Sequence, residues 1–118
     1  MHPERRAKKR IKISYYLPVN KAGSLEKLGI LTEITTSGLQ VDTQKLLNKG
    51  ETYRLHLDLM NSNLGVSSVN FSATVRWTRP DPIEPNYFNI GMEIVDLSAS
   101  ERNIIEKIIA AYGSGVLT

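Results

Sequence analysis

Two arginines near the start of the chain are well suited to bind an anion. Arg6 and Arg10 are separated by three residues, in a stretch that also carries Arg5, Lys8 and Lys9. A guanidinium donates two parallel hydrogen bonds to phosphate oxygens and also stacks on aromatic faces. A ligand with phosphates and flat bases would use both abilities. The pair therefore favours binding of a nucleotide-like anion.

A second group of useful side chains lies where two predicted strands meet. Glu33, Thr35 and Gly38 provide a carboxylate, a hydroxyl and a glycine at this junction. A carboxylate can accept hydrogen bonds from the N–H groups on the edge of a base. Gly38 can adopt a positive φ without steric penalty, and we expect it to do so in a sharp turn. A plain turn with a surface acid is the alternative interpretation of this segment.

The side chains available for catalysis are few. The chain has no cysteine, which excludes thiol chemistry, and its histidines are His2 and His56. The histidines lack the paired spacing of metal ligands, and neither common glycine-rich phosphate loop occurs. We therefore predict that the protein is not an enzyme and has no metal cofactor.

Positive charge is concentrated in residues 1–12. This segment holds six Lys and Arg residues and one acid, a net charge of +5, whereas the remainder holds nine basic and eleven acidic residues, a net charge of −2. We expect residues 1–12 to form a flexible basic arm that attracts anions. A solvated, disordered start without a ligand is the alternative.

Length and composition predict a single cytoplasmic domain. A chain of 118 residues is of single-domain size and can bury a core. No apolar run approaches the roughly 20 residues that span a bilayer. The charged N-terminus is not followed by an apolar stretch, so it does not resemble a secretory signal. We expect no membrane span.

Alternation of apolar and polar residues dominates the chain and predicts strands. The predicted strands cover residues 11–17, 28–34, 39–41, 53–59, 69–78 and 88–94. The predicted loops cover residues 20–23, 48–50, 61–65 and 80–86. Short strands with one polar face indicate an antiparallel sheet with one side in water. A closed or nearly closed barrel is favoured because closure removes exposed edges.

The hydrophobic period becomes helical after Ser98. Ser98 and Glu101 fit a capping box, and Gly113 is a plausible end for the helix. Apolar residues at helical spacing between these ends predict an amphipathic helix. We expect its apolar stripe to pack on the barrel, with packing on a partner's helix as the alternative. Residues 113–118 are expected to fray.

The two groups of residues together resemble the signature of PilZ domains. Arg6-x-x-x-Arg10 resembles the family's N-terminal motif, and Glu33-x-Thr35-x-x-Gly38 is similar to its D/N-x-S-x-x-G motif. Position 33 has Glu where the family has Asp or Asn, and position 35 has Thr where the family has Ser. The longer Glu side chain reaches roughly 1.5 Å further. The resemblance extends over nearly the whole chain, including residues 10–13, 75–77, 91–94 and 97–109.

This resemblance implies a mainly β fold, a six-stranded antiparallel PilZ-type β-barrel with a C-terminal α-helix, over residues 10–113. It also implies a receptor for cyclic di-GMP, a bacterial second messenger. Arg6 and Arg10 would hold phosphates and contact guanine, with electrostatic help from Arg5 and Lys9. The arm would order on the nucleotide and change the surface offered to an unidentified protein partner.

The same resemblance gives roles to the second motif. Glu33 and Thr35 would read a guanine edge, and Gly38 would permit the close turn. A PilZ-like protein-interaction module that has lost nucleotide binding remains an alternative, as does a homodimer. A nucleic-acid-binding barrel is a third function to test, but it is not expected, because Tyr15 and Tyr16 are the only aromatic residues near the arm.

Overall fold

The computed structural model of the protein describes residues 10–13, 15–24 and 26–117, with residues 10–12 and 114–117 described by their backbone alone. These residues form eight strands and one helix. In chain order the elements are β1 (Arg10–Ile13), β2 (Pro18–Lys21), β3 (Lys27–Ile34), β4 (Gly38–Thr43), β5 (Thr52–Asp58), β6 (Ser68–Pro80), β7 (Phe88–Asp96), α1 (Ala99–Tyr112) and β8 (Gly113–Leu117).

Six of the strands close into an antiparallel barrel. Their order is β2-β5-β6-β7-β4-β3, and β2 also pairs with β3 to complete the ring. Strand β1 pairs with the end of β3, and β8 pairs with β1, so these two strands extend the sheet beyond the ring. The predicted six-stranded antiparallel barrel with a C-terminal helix is therefore confirmed.

The first predicted strand, residues 11–17, is two strands in the structure. Strand β1 ends at Ile13 and β2 begins at Pro18, because the two strands pair with different parts of β3. Strand β2 runs to Lys21, into the predicted loop over residues 20–23. The alternation of Ile11, Ile13 and Tyr15 continues across the break, so the pattern gave no sign of it.

The segment predicted to fray after the helix contains strand β8. Strand β8 pairs with β1 in an antiparallel register that matches Ile11 with Val116 and Ile13 with Gly113. The stabilising contact is backbone pairing, which needs no apolar side-chain pattern and therefore left no signal in this glycine- and serine-containing segment.

The helix begins and packs as predicted. The Ser98 hydroxyl accepts a hydrogen bond from the Glu101 backbone N–H (3.2 Å), and the Ser98 N–H donates to the Glu101 carboxylate (2.9 Å), which completes the capping box. Ile105 and Ile108 are fully buried in the core with inward strand residues such as Phe71. The apolar stripe of α1 therefore faces its own barrel. Within the described residues, no helix is long and apolar enough to cross a membrane.

Candidate functional site

The turn between β3 and β4 is built around the Thr35 side chain. The Thr35 backbone N–H donates to the Gly38 carbonyl oxygen at 2.8 Å. The Thr35 hydroxyl accepts hydrogen bonds from the backbone N–H groups of Ser37 and Gly38, each at 3.2 Å. Thr35 is buried, with 7% of its surface exposed. The hydroxyl therefore fixes the turn, and its remaining O–H lies 3.2 Å from the Ser37 hydroxyl.

Gly38 meets a packing requirement rather than a dihedral one. The expectation of a positive φ is wrong, because the described glycines with positive φ are Gly23, Gly50 and Gly65. Gly38 instead pairs with Glu93 of β7, and a Cβ at this position would lie 3.0 Å from the Met92 carbonyl oxygen. The absence of a side chain lets β4 begin tight against β7.

Glu33 lies on the outer face of the barrel beside this turn. Its neighbour Ile34 is fully buried, so the alternation along β3 directs Glu33 outward. Glu33 pairs with Gln40 of β4 on one side and with Lys12 of β1 on the other. Glu33 and the turn at Thr35 therefore both lie at the C-terminal end of β3.

Strand β1 begins at the same end of β3. Ile11 pairs with Ile34 and Lys12 with Glu33, so the antiparallel register continues from Arg10 toward Thr35. The backbone of Arg10 belongs to β1, but its side chain is outside the description. The predicted site residues Arg5, Arg6 and Lys9 lie outside the described residues. The structure thus brings together the backbone of Arg10 with Glu33, Thr35 and Gly38.

The Trp77 indole forms an aromatic platform, which lies in the same row across the sheet as Glu33 and Gln40. Gln40 pairs with Gly91 of β7, and Gly91 pairs with Trp77 of β6. A Cβ on Gly91 would lie 2.1 Å from the Trp77 ring, so the indole rests directly on the glycine. The Arg79 guanidinium lies 5.2 Å from the Trp77 ring centroid. Sequence reasoning gave Trp77 no role in the site, although a large ring near a glycine on a neighbouring predicted strand was a usable signal.

The buried side-chain amide of Asn89 fixes Arg79, whose guanidinium lies over the Trp77 ring. Asn89 is 3% exposed, accepts a hydrogen bond from Arg79 Nε (3.1 Å), and donates to the carboxylates of Asp42 and Asp81 (2.9 Å each). Asp81 also accepts hydrogen bonds from the backbone of the loop that follows it. The N–H groups of Glu84 and Ile83, followed by the Asn89 amide, hold the pKa of the Asp81 carboxyl below its ordinary value. The loop and the Arg79–Trp77 stack are therefore fixed by one network.

An ion pair lies between the turn and the platform. Arg76 Nε donates to Glu93 Oε1 at 2.7 Å, and a second guanidinium nitrogen contacts the same oxygen. Both side chains are about half exposed. Among the described residues, no three His, Cys, Asp or Glu side chains are grouped so that they could hold a metal ion.

The family model described as PilZ domain matches residues 4–111. The chain belongs to the PilZ family. This match covers residues 4–12 of the arm, the barrel and nearly all of α1. No curated protein matches the chain at a significant level.

Solved structures show the same PilZ fold. The Bacillus subtilis inhibitor of motility (MotI/DgrA) has a TM-score of 0.67 and 17% identity, covering 91% of this chain and 51% of its own. Escherichia coli YcgR, solved in complex with c-di-GMP, has a TM-score of 0.67 and 14% identity, covering 91% of this chain and 45% of its own. The PilZ chain described here therefore spans about half the length of each of these proteins.

Proposed function

We propose that this PilZ domain is a receptor for cyclic di-GMP. The observation that carries the proposal is the pairing of β1 with the end of β3, which places the backbone of Arg10, the last residue of the Arg-x-x-x-Arg motif, beside the Thr35–Gly38 turn. Membership of the PilZ family and the fold shared with YcgR, which was solved in complex with c-di-GMP, support the same ligand.

Arg6 and Arg10 are the proposed phosphate-binding residues. Each guanidinium can bind a phosphate oxygen pair or stack on a guanine, and the nucleotide offers two of each. Arg5 and Lys9 add positive potential, which raises the association rate more than the affinity. The positive charge of the arm also offsets the negative charge of Glu33 and Glu93, which both lie beside the turn.

Glu33 and Thr35 have different proposed roles. Glu33 projects from the outer face and can accept the N–H groups of a guanine edge. Thr35 acts mainly through the turn, because its oxygen already accepts two backbone hydrogen bonds. Gly38 permits the close packing of the turn against β7. The Trp77 ring, in the same row as Glu33 and Gln40, offers a flat wall for a base or ribose.

The proposed mechanism is an ordering switch. Residues 1–12 act as the basic arm, and residues 10–113 act as the barrel with its helix. The nucleotide binds the arm and the barrel together, so its contacts favour the ordered arm over the free one. The ordered arm then changes the surface presented to a protein partner. A cytoplasmic location and the lack of enzymatic activity stay predictions.

Calorimetric titration with cyclic di-GMP tests the proposal. We expect saturable binding that weakens by about 10- to 100-fold in Arg6→Ala or Arg10→Ala, because each charge-assisted contact is worth about 1.5–3 kcal/mol. Arg102→Ala, which removes an exposed charge on α1, is the matched control and should bind like the unaltered protein. No heat and no thermal stabilisation at a large excess of nucleotide would refute the receptor function.

A PilZ interaction module without nucleotide binding is the second candidate. It is favoured by two observations: Glu33 is longer than the family's Asp or Asn, and the Thr35 hydroxyl is used by the turn. The double change Glu33→Asp, Thr35→Ser separates the two candidates. Binding that appears only in this variant assigns the natural chain to the module class, whereas equal or stronger binding by the unaltered chain assigns it to the receptors.

A further inference from the structure

Arg76 occupies an irregular position in β6. The β6–β7 register shifts between Val75 and Trp77, so Arg76 lies at a bulge and has no Cα partner in β7. Bulges redirect side chains and often lie beside functional sites. Here the Arg76 guanidinium is exposed on the outer face and in contact with Glu93, directly before Trp77 in the chain.

The Arg76–Glu93 pair lies at the edge of the proposed nucleotide site. Glu93 pairs with Gly38, the last residue of the second PilZ motif, and with Thr74 of β6. On the next row, Gly91 lies between Gln40 and Trp77. Arg76 therefore contacts the residue that pairs with the end of the turn, and it directly precedes Trp77 of the aromatic platform in the chain.

The negative charge of Glu93 would repel the phosphates of an anionic ligand unless the Arg76 guanidinium lies between them. Cyclic di-GMP carries two phosphodiester charges, and a carboxylate close to a phosphate is unfavourable. Arg76 and Glu93 are 55% and 51% exposed, and ion pairs between such exposed side chains contribute little. Glu93 accepts both guanidinium contacts through one oxygen, Oε1, whereas a phosphate offers two oxygens for two parallel hydrogen bonds. Replacing the Glu93 carboxylate with a phosphate as the partner of Arg76 therefore costs little free energy.

We propose that Arg76 is a third phosphate-binding guanidinium of the cyclic di-GMP site and that Glu93 is its counter-ion before the nucleotide binds. This inference rests on the proposed receptor function and extends it to a residue outside both sequence motifs. Glu93 sets the threshold for binding, because the nucleotide must displace it from Arg76.

Titrations of four proteins with cyclic di-GMP test the inference: the unaltered chain, Arg76→Ala, Glu93→Gln and the double variant. We expect Arg76→Ala to bind about tenfold more weakly, since a charge-assisted contact is lost. We expect Glu93→Gln to bind about threefold more tightly, since an exposed competitor is removed. Arg102→Ala and Glu106→Gln change the same charges on the exposed side of α1 and should leave the affinity unchanged.

The double variant distinguishes a direct contact from simple neutralisation of Glu93. If Arg76 binds the phosphate, Arg76→Ala should weaken binding about tenfold in the Glu93→Gln background as well. A double variant that binds as tightly as Glu93→Gln overturns the inference, and so does an Arg76→Ala protein with unchanged affinity. In both cases the receptor function stands, because the unaltered chain binds. Absence of binding in all four proteins refutes the receptor function together with this inference.

Discussion

The contact between Gly91 and Trp77 predicts that Gly91→Ala destabilises the protein when the Trp77 ring is present and stabilises it when the ring is absent. In Gly91→Ala, the new Cβ would lie 2.1 Å from Trp77 Cε2 and 2.2 Å from Nε1. Ordinary carbon contacts occur at about 3.5–4.0 Å, so the ring must move by more than 1 Å or leave its place. Overpacking of this kind costs about 1–3 kcal/mol. We therefore expect the free energy of unfolding of Gly91→Ala to fall by that amount.

The same substitution should have the opposite effect when the ring is absent. The φ of Gly91 lies outside the left-handed region, so alanine fits the backbone. Alanine is more favourable than glycine inside a strand by about 0.5–1 kcal/mol. In a Trp77→Ala background, Gly91→Ala should therefore stabilise the protein slightly. The coupling between the two positions is then about 1.5–4 kcal/mol.

Urea unfolding of the unaltered chain, the two single variants and the double variant measures this coupling. The m-values must agree among the four proteins for the comparison to hold. A loss of stability from Gly91→Ala that is equal in both backgrounds would contradict the reasoning, because the cause would then lie in the backbone rather than in the indole. The nucleotide titration of Gly91→Ala also reports whether the displaced platform serves binding.

Three further predictions concern single side chains. Thr35→Val removes a buried acceptor of two backbone N–H groups and should lower the free energy of unfolding by about 1–3 kcal/mol in urea, whereas Thr35→Ser, which keeps the acceptor, should cost less than half as much. Ser98→Ala removes the N-cap of α1 and should cost about 1 kcal/mol in the same assay, whereas Ser98→Thr, which keeps the capping hydroxyl, serves as the control and should cost less. Asp81 has a lowered folded pKa, so its stabilising contribution is complete above its unfolded pKa and is lost as the pH falls through the folded value. The stability difference between the unaltered chain and Asp81→Asn should therefore shrink as the pH is lowered from 6 to 3, and a difference that stays constant would contradict this assignment.

The fold was predictable where a physical requirement repeats along the chain. The alternation of Val69, Phe71, Ala73 and Val75 follows from one buried face, and this face is in the core. The capping box at Ser98 was predictable because its two hydrogen bonds need particular side chains at a fixed spacing. These signals are local, so a single sequence contains them in full.

The features that sequence reasoning missed depend on pairing between distant segments. The packing requirement at Gly38 comes from the Met92 carbonyl oxygen, and Met92 lies more than fifty residues away in the chain. The contact of Trp77 with Gly91 and the bulge at Arg76 require the register between β6 and β7. Alternation fixes which face a residue occupies, but it does not fix which residue lies opposite. The candidate site was therefore predicted by motif spacing, and its platform and ion pair were not.

Strand β1 connects the proposed site to the C-terminal part of the protein. It pairs with β3 next to Glu33 on one edge and with β8, directly after α1, on the other. Two residues beyond β1, the Tyr15 ring stacks on the Tyr112 ring at the end of α1, with centroids 4.2 Å apart. A rearrangement of β1 that displaces Tyr15 would therefore either move the end of α1 or break this stack. The surface around Tyr112 is thus connected to the segment that follows β1, whereas the distant β5 strand is not paired with β1 or β8.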